Sequence, residues 1–317
     1  MSKSTLARVG VLAVLIVVLV NIAIGRVSNG FDLRDSLIPV DQIHLGGPPR
    51  DGIPAIDRPR FVEAGAADFL QPDDRVLGLR IGNQARAYPV SILNWHEVVN
   101  DRFGKLPVSV TYCPLCGTGV AFSGRDGNAT RTFGVSGLLY NSDVLLYDRE
   151  TKSLWSQLMM QAVSGPRRGE RLEALPLTHT TWTKWSAEHP GTRVLSTDTG
   201  YRRDYERDPY AGYASERETY FPVNATSRRY HPKERVLGIE IAGIAKAYPF
   251  TELARSGEKA IVDHIGDQPL KLTFDAESET ARAFDADGRQ LPATSSFWFA
   301  WYAFHPDGEV YTAPREQ

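Results

Sequence analysis

The sequence predicts a β-rich α+β fold. It reads as two related β-hairpin–helix–β units, an internal duplication with a longer middle insertion, behind one N-terminal transmembrane helix. Three observations carry that prediction. Tyr and Phe number 13 each against 3 Met, a balance that suits strands better than helix bundles. A block of sequence recurs in one order. An apolar run, Val9 to Gly25, is broken only by Asn21.

The apolar run sets the expected placement. Lys3 and Arg8 precede it, and Arg26 and Arg34 follow. As a helix it spans roughly 25 Å, near the ~30 Å hydrocarbon core and longer than a ~7–15-residue signal-peptide core. A signal-anchor over 1–26 is expected, giving a single-pass protein of the inner (cytoplasmic) membrane with its soluble part on the extracytoplasmic side. Ala23-Ile24-Gly25 leaves cleavage open, and the product would then be periplasmic or secreted. Residues 27–57 are rich in Gly, Pro and Asp and read as a linker.

The remainder, 58–317, is expected to form a single domain. Its length supports a real core, and its net charge of −2 leaves no basic footprint for nucleic acid. Membrane is the one partner expected, through the N-terminal helix. No small-molecule or protein partner can be named.

The repeat sets the internal order, with unit one at about 73–125, the middle region at about 131–229 and unit two at about 233–289. Arg75-Val76-Leu77-Gly78 is matched by Arg235-Val236-Leu237-Gly238, and Ala87-Tyr88-Pro89 by Ala247-Tyr248-Pro249. Each copy reads as a hairpin ending at Tyr-Pro, then a short helix (Val90–Val98, Phe250–Ser256), then paired strands. Pro89 and Pro249 suit the first turn of those helices. In the middle region Thr181 is a good N-cap for a helix Trp182–Glu188 stopped by Pro190-Gly191. Past unit two, Ser296–Phe304 reads as an aromatic strand.

The chain's two cysteines, Cys113 and Cys116, lie on a turn between two apolar runs. The second copy has Asp275 and Ser278 at those places. It also lacks an equivalent of Trp95-His96-Glu97. Residues found in one copy only are the better candidates for chemistry. Two thiols at this spacing hold a soft metal or form a small redox disulfide. A complete zinc site needs further ligands, and His96 leads, ahead of Glu97, Asp143, Asp148, His179 and His189. Gly117-Thr118-Gly119 after the second thiol argues against a thioredoxin-like helix.

The ordered motifs carry a resemblance. Trp95-His96-Glu97-Val98-Val99-Asn100-Asp101, Thr111-Tyr112-Cys113-Pro114-Leu115-Cys116-Gly117 and Ser136-Gly137-Leu138-Leu139-Tyr140-Asn141-Ser142-Asp143 come first. Leu154-Trp155-Ser156-Gln157 and Asp208-Pro209-Tyr210 follow. Together they resemble the bacterial and archaeal family known as domain of unknown function 3179, over roughly Ile56 to the C-terminus. The resemblance implies an envelope family without an assigned activity, and it carries over no catalytic residues.

The leading expectation is a site in which Cys113, Cys116 and His96 ligate zinc, copper or haem iron. Asn141, Asp143, Trp155 and Gln157 are expected to line its pocket, because polar groups inside an apolar run need partners or a purpose. A second reading is a thiol enzyme, an oxidoreductase or a transferase or hydrolase with Cys113 as nucleophile and His96 as its base. A third is a binding or scaffold module without catalysis. The bland alternatives are a structural disulfide or two buried thiols, and a hydrogen-bonded helix histidine.

Overall fold

A computed structural model describes residues 29–314. Strands dominate it. An 8-stranded sheet, two 5-stranded sheets and smaller sheets of three and two strands carry the chain. The α-helices among the described residues are Val90–His96, Trp182–Glu188, Phe250–Ser256 and Trp298–Phe304, each of seven residues. The α+β expectation is therefore corrected to a β fold with short connecting helices. The physical reason lies in the period-two apolar pattern, which leaves helices only two turns between strands.

The membrane expectation is corrected as well. Among the described residues no helix is long and apolar enough to cross a membrane. The expected span over 1–26 lies outside the described residues. Anchoring through an N-terminal helix, with single-pass inner-membrane and extracytoplasmic placement, is accordingly withdrawn.

The expected internal duplication is not confirmed, since the two hairpins fall in different sheets. The first hairpin, Arg75–Ile81 with Gln84–Pro89, belongs to a 5-stranded sheet. The strands after it, Val98–Phe103, Leu106–Cys113 and Thr118–Ser123, belong to the 8-stranded sheet. The second hairpin, Arg235–Ile241 with Ile244–Pro249, joins that same 8-stranded sheet. The strands after the second hairpin form the separate 3-stranded sheet. What the two hairpins share is their own register and their neighbours: Leu177–Thr181 pairs antiparallel with the first as Thr294–Phe297 does with the second, and Arg193–Leu195 pairs parallel with the first as Glu309–Val310 does with the second. Val76 faces Pro89 as Val236 faces Pro249, and Gly78 faces Ala87 as Gly238 faces Ala247.

A tryptophan explains the shared glycine. A Cβ on Gly78 would fall 2.2 Å from the Trp185 ring, and one on Gly238 would fall 2.1 Å from the Trp301 ring. Each indole belongs to a short helix that lies flat on its hairpin. In the first of these, Thr181 Oγ1 caps the helix by accepting from Lys184 N. The second corrects the aromatic strand expected at 296–304. Thr294–Phe297 is the strand, and Trp298–Phe304 is helical, with Trp298 and Trp301 buried three residues apart.

The expected linker is docked. Ile43–Leu45 pairs with Leu138–Tyr140, Ile56 bridges to Val99, and Phe31, Leu33 and Ile38 are buried. Packing of those apolar side chains outweighs the Gly and Pro content that suggested a loose segment. The 8-stranded sheet and the sheet containing Phe133–Tyr140 bury a common core between them. It includes Cys113, Cys116, Phe133, Trp155 and Trp298.

Candidate metal centre

Two hairpin tips meet in that core. The first joins Leu106–Cys113 to Thr118–Ser123, with Cys113 opposite Thr118. Its turn passes through Gly117 at φ +60, where a Cβ would press on the Phe297 ring at 3.0 Å. Phe297 N donates to Cys116 O at 2.8 Å and holds the turn against the neighbouring strand. The second tip joins Phe133–Tyr140 to Asp143–Asp148. Asn141 and Ser142 both have positive φ, 52 and 65, as a two-residue primed turn requires. That turn aims the Ser142 carbonyl and the Asp143 carboxylate at the sulfurs.

The outcome is a group of three. One sulfur each from Cys113 and Cys116 and one carboxylate oxygen of Asp143 lie within 4.8 Å of one another, and this group can hold a metal ion. All three residues are buried, and both thiols are free. The Cys116 sulfur lies 3.2 Å from Ser142 O, and the Cys113 sulfur 3.8 Å from it. Asp143 Oδ2 accepts from Leu158 N at 3.0 Å. Asp143 Oδ1 has no hydrogen-bond partner among the described residues, and the same holds for Ser142 Oγ, Gln157 Oε1 and Tyr213 Oη. Buried polar atoms left in this state are costly unless something satisfies them.

Electrostatics point the same way. Burial pushes both thiols up, Cys116 well above its usual range. Burial also lifts Asp143 to about 7 against the hydrogen bonds from Leu158 and Val144. Nearby Glu97 is raised to about 8, first by burial and then by the charge of Asp143. Acids crowded in a dry site resist ionising together, and a divalent cation placed among them reverses that preference.

The chain matches the family model described as a protein of unknown function, DUF3179, over residues 50–308. It belongs to this family. No curated protein and no solved structure matches it.

Within this DUF3179 domain the expected site residues separate. Cys113, Cys116 and Asp143 come together, and His96 does not join them. His96 ends the helix Val90–His96 with Nδ1 2.7 Å from Pro54 O and Nε2 2.7 Å from Tyr205 Oη. With the carbonyl able only to accept, Nδ1 carries the proton and Nε2 accepts from the tyrosine. Tyr205 Oη in turn lies 2.6 Å from Thr199 Oγ1. Both ring nitrogens are thus engaged, partly by the stretch read as a linker.

Asn141 fixes its hairpin tip. Its Nδ2 donates to Ala303 O, and its Oδ1 accepts from Asn224 N. Trp155 Nε1 donates to Asp148 Oδ2 at 2.8 Å, and its ring lies 4.6 Å from the Arg131 guanidinium carbon. Gln157 Nε2 donates to Thr111 Oγ1 at 2.9 Å. Tyr213 stands out in the sequence only as part of a Tyr- and Arg-rich loop, and the backbone carbonyl of Ser142 has no sequence signal as a site element. They sit by the sulfurs only because of distant loop packing.

Proposed function

We propose that this DUF3179 protein is a metal-binding protein whose ion is held by Cys113, Cys116 and Asp143. The convergence of two thiols and a carboxylate bearing an unpartnered oxygen carries this reading. Zinc is the ion that suits the set best. It accepts thiolate at about 2.3 Å and carboxylate at about 2.0–2.2 Å in one tetrahedral shell. Copper(I) favours an all-sulfur set, and the hard oxygen counts against it. Haem fits poorly, because its iron takes axial ligands on opposite faces and these three groups converge from one region.

The thiol-enzyme alternative has less support. A nucleophilic or redox cysteine is exposed and has a lowered pKa, whereas both thiols here are buried and raised. Three protein ligands leave a fourth zinc position. Glu97 and Tyr213 are the next polar side chains, and the Tyr213 hydroxyl has no hydrogen-bond partner among the described residues.

Elemental analysis of the purified protein tests the proposal. About one ion per chain is expected, removable by a chelator and restored by zinc with a rise in Tm. Cys113→Ser and Asp143→Asn should each weaken zinc binding at least tenfold. A folded wild-type protein that carries no metal and shows no zinc-dependent Tm shift overturns the reading. If its thiols then cycled with a defined potential, the oxidoreductase reading would take its place.

A further inference from the structure

On the opposite face of the strand that ends in Cys113 lies a second polar group, in which Tyr112 and His179 are buried and the cations Arg75 and Arg235 half-buried. Tyr112 and Cys113 are consecutive in that strand, and consecutive side chains point to opposite faces. Tyr112 stands edge-on to the His179 ring at 6.0 Å. His179 Nδ1 lies 2.6 Å from Arg235 Nη2, which also donates to Ser295 Oγ at 3.2 Å. Arg75 is near enough for its charge to act on His179 as well. Its strand pairs with Leu177–Thr181 so that Arg75 faces Thr181, two residues beyond His179 and on the same face. Arg75 donates to Ser278 O at 2.6 Å and Glu279 O at 3.3 Å.

The anionic partner that such a cluster calls for is missing from the chain's own side chains. Neither Arg75 nor Arg235 makes an ion pair among the described residues, whereas the strand arginines Arg86, Arg193 and Arg282 do. The Nε atoms of both are shut from solvent with no hydrogen-bond partner. Glu279 and Asp208 are the carboxylates whose fields reach the cluster, and both are exposed. Burial and the charge of Arg235 pull Arg75 down to about 9, so it remains charged at neutral pH. Because His179 Nδ1 accepts from a guanidinium, the imidazole is neutral and its proton sits on Nε2. The Tyr112 hydroxyl is a further donor without a partner among the described residues.

We propose that Arg75, Arg235, His179 and Tyr112 bind a small oxyanion, a phosphate-like or carboxylate group. Every free polar atom in the cluster is a donor. Two guanidinium edges are the side chains best shaped to grip paired oxygens. Satisfying two half-buried charges and two buried Nε–H groups at once removes a desolvation cost that the fold otherwise carries. The site is independent of the metal proposal, since no ligand of the ion takes part.

Calorimetry and thermal shift with orthophosphate, sulfate and acetate test it, each against chloride at matched ionic strength to separate binding from screening. Saturable binding of at least one oxyanion is expected. It should weaken tenfold or more in Arg235→Gln and severalfold in Tyr112→Phe, which removes only the hydroxyl. Binding of phosphate or sulfate alone would define a tetrahedral ligand, and of acetate alone a carboxylate. If no oxyanion exceeds chloride, the proposal fails. It also fails if Tyr112→Phe and Arg235→Gln bind like the wild type. Should Arg235→Gln not fold, the wild-type titrations and Tyr112→Phe still decide.

Discussion

The Cys116 sulfur lies 3.2 Å from the carbonyl oxygen of Ser142, the residue immediately before Asp143. A thiol donates to that carbonyl, and a thiolate is repelled by it. The contact therefore favours the protonated sulfur, as does the surrounding burial. The same turn that delivers the Asp143 carboxylate thus also sets the protonation state of the cysteine.

Metal uptake should consequently release protons and strengthen as pH rises. Cys113 and Cys116 are both raised, and Asp143 titrates near 7, so fewer ligands are ionised on the acid side. Zinc titrations between about pH 6 and 8.5 should show affinity climbing by more than tenfold. Calorimetry in buffers of different ionisation enthalpy should show more than one proton released per ion. A flat pH profile would argue against thiol ligation.

The two glycine–tryptophan contacts should be sensitive to a single methyl group. In Gly78→Ala the added carbon meets Trp185, and in Gly238→Ala it meets Trp301, in both cases far inside contact distance. Overpacking of this kind costs roughly 1–3 kcal/mol. Urea unfolding of each variant should show that loss, with metal content per folded chain unchanged. Losses within 0.5 kcal/mol, on the order of an ordinary surface substitution, would mean that the indoles move aside freely.

Histidine burial gives the fold an acid-side weakness. His179 is held well below 6.5, first by burial and then by the charges of Arg235 and Arg75, and His96 is lowered by burial. A lowered folded pKa means that the unfolded chain binds protons first. Stability is then full above about 6.5 and falls as pH drops below it. Denaturant midpoints at pH 7.5 and 5.5 should differ in that sense, and His179→Gln should flatten the difference. His96→Ala should lower stability through the lost Pro54 and Tyr205 contacts while leaving zinc content intact. Loss of zinc in that variant would return His96 to the ligand set.

Local chemistry was the legible part of this sequence. Thr181 announced a cap, Tyr-Pro announced hairpin ends, and the thiol pair announced a site. Asp143 stood out as a polar residue within an apolar run, yet His96 drew the ligand assignment because it shared a repeat unit with the cysteines. Nothing local says that Pro54 and Tyr205 occupy both of its nitrogens. Those contacts depend on where distant segments pack, as does the placing of the two hairpins in different sheets. The aromatic run after Thr294 illustrates a related ambiguity. Trp298 and Trp301 satisfy a helical spacing as well as a β-rich composition, and only the strand beneath them decides.

Phe297 closes the cysteine turn from far down the chain, through its backbone bond to Cys116 and its ring against Gly117. During synthesis from the N-terminus, the thiol hairpin and the Asp143 hairpin emerge long before that cover. The two tips can meet while their floor is still open to solvent. The turn that carries Cys116 therefore acquires its backbone partner and its ring cover only when the last part of the chain is made.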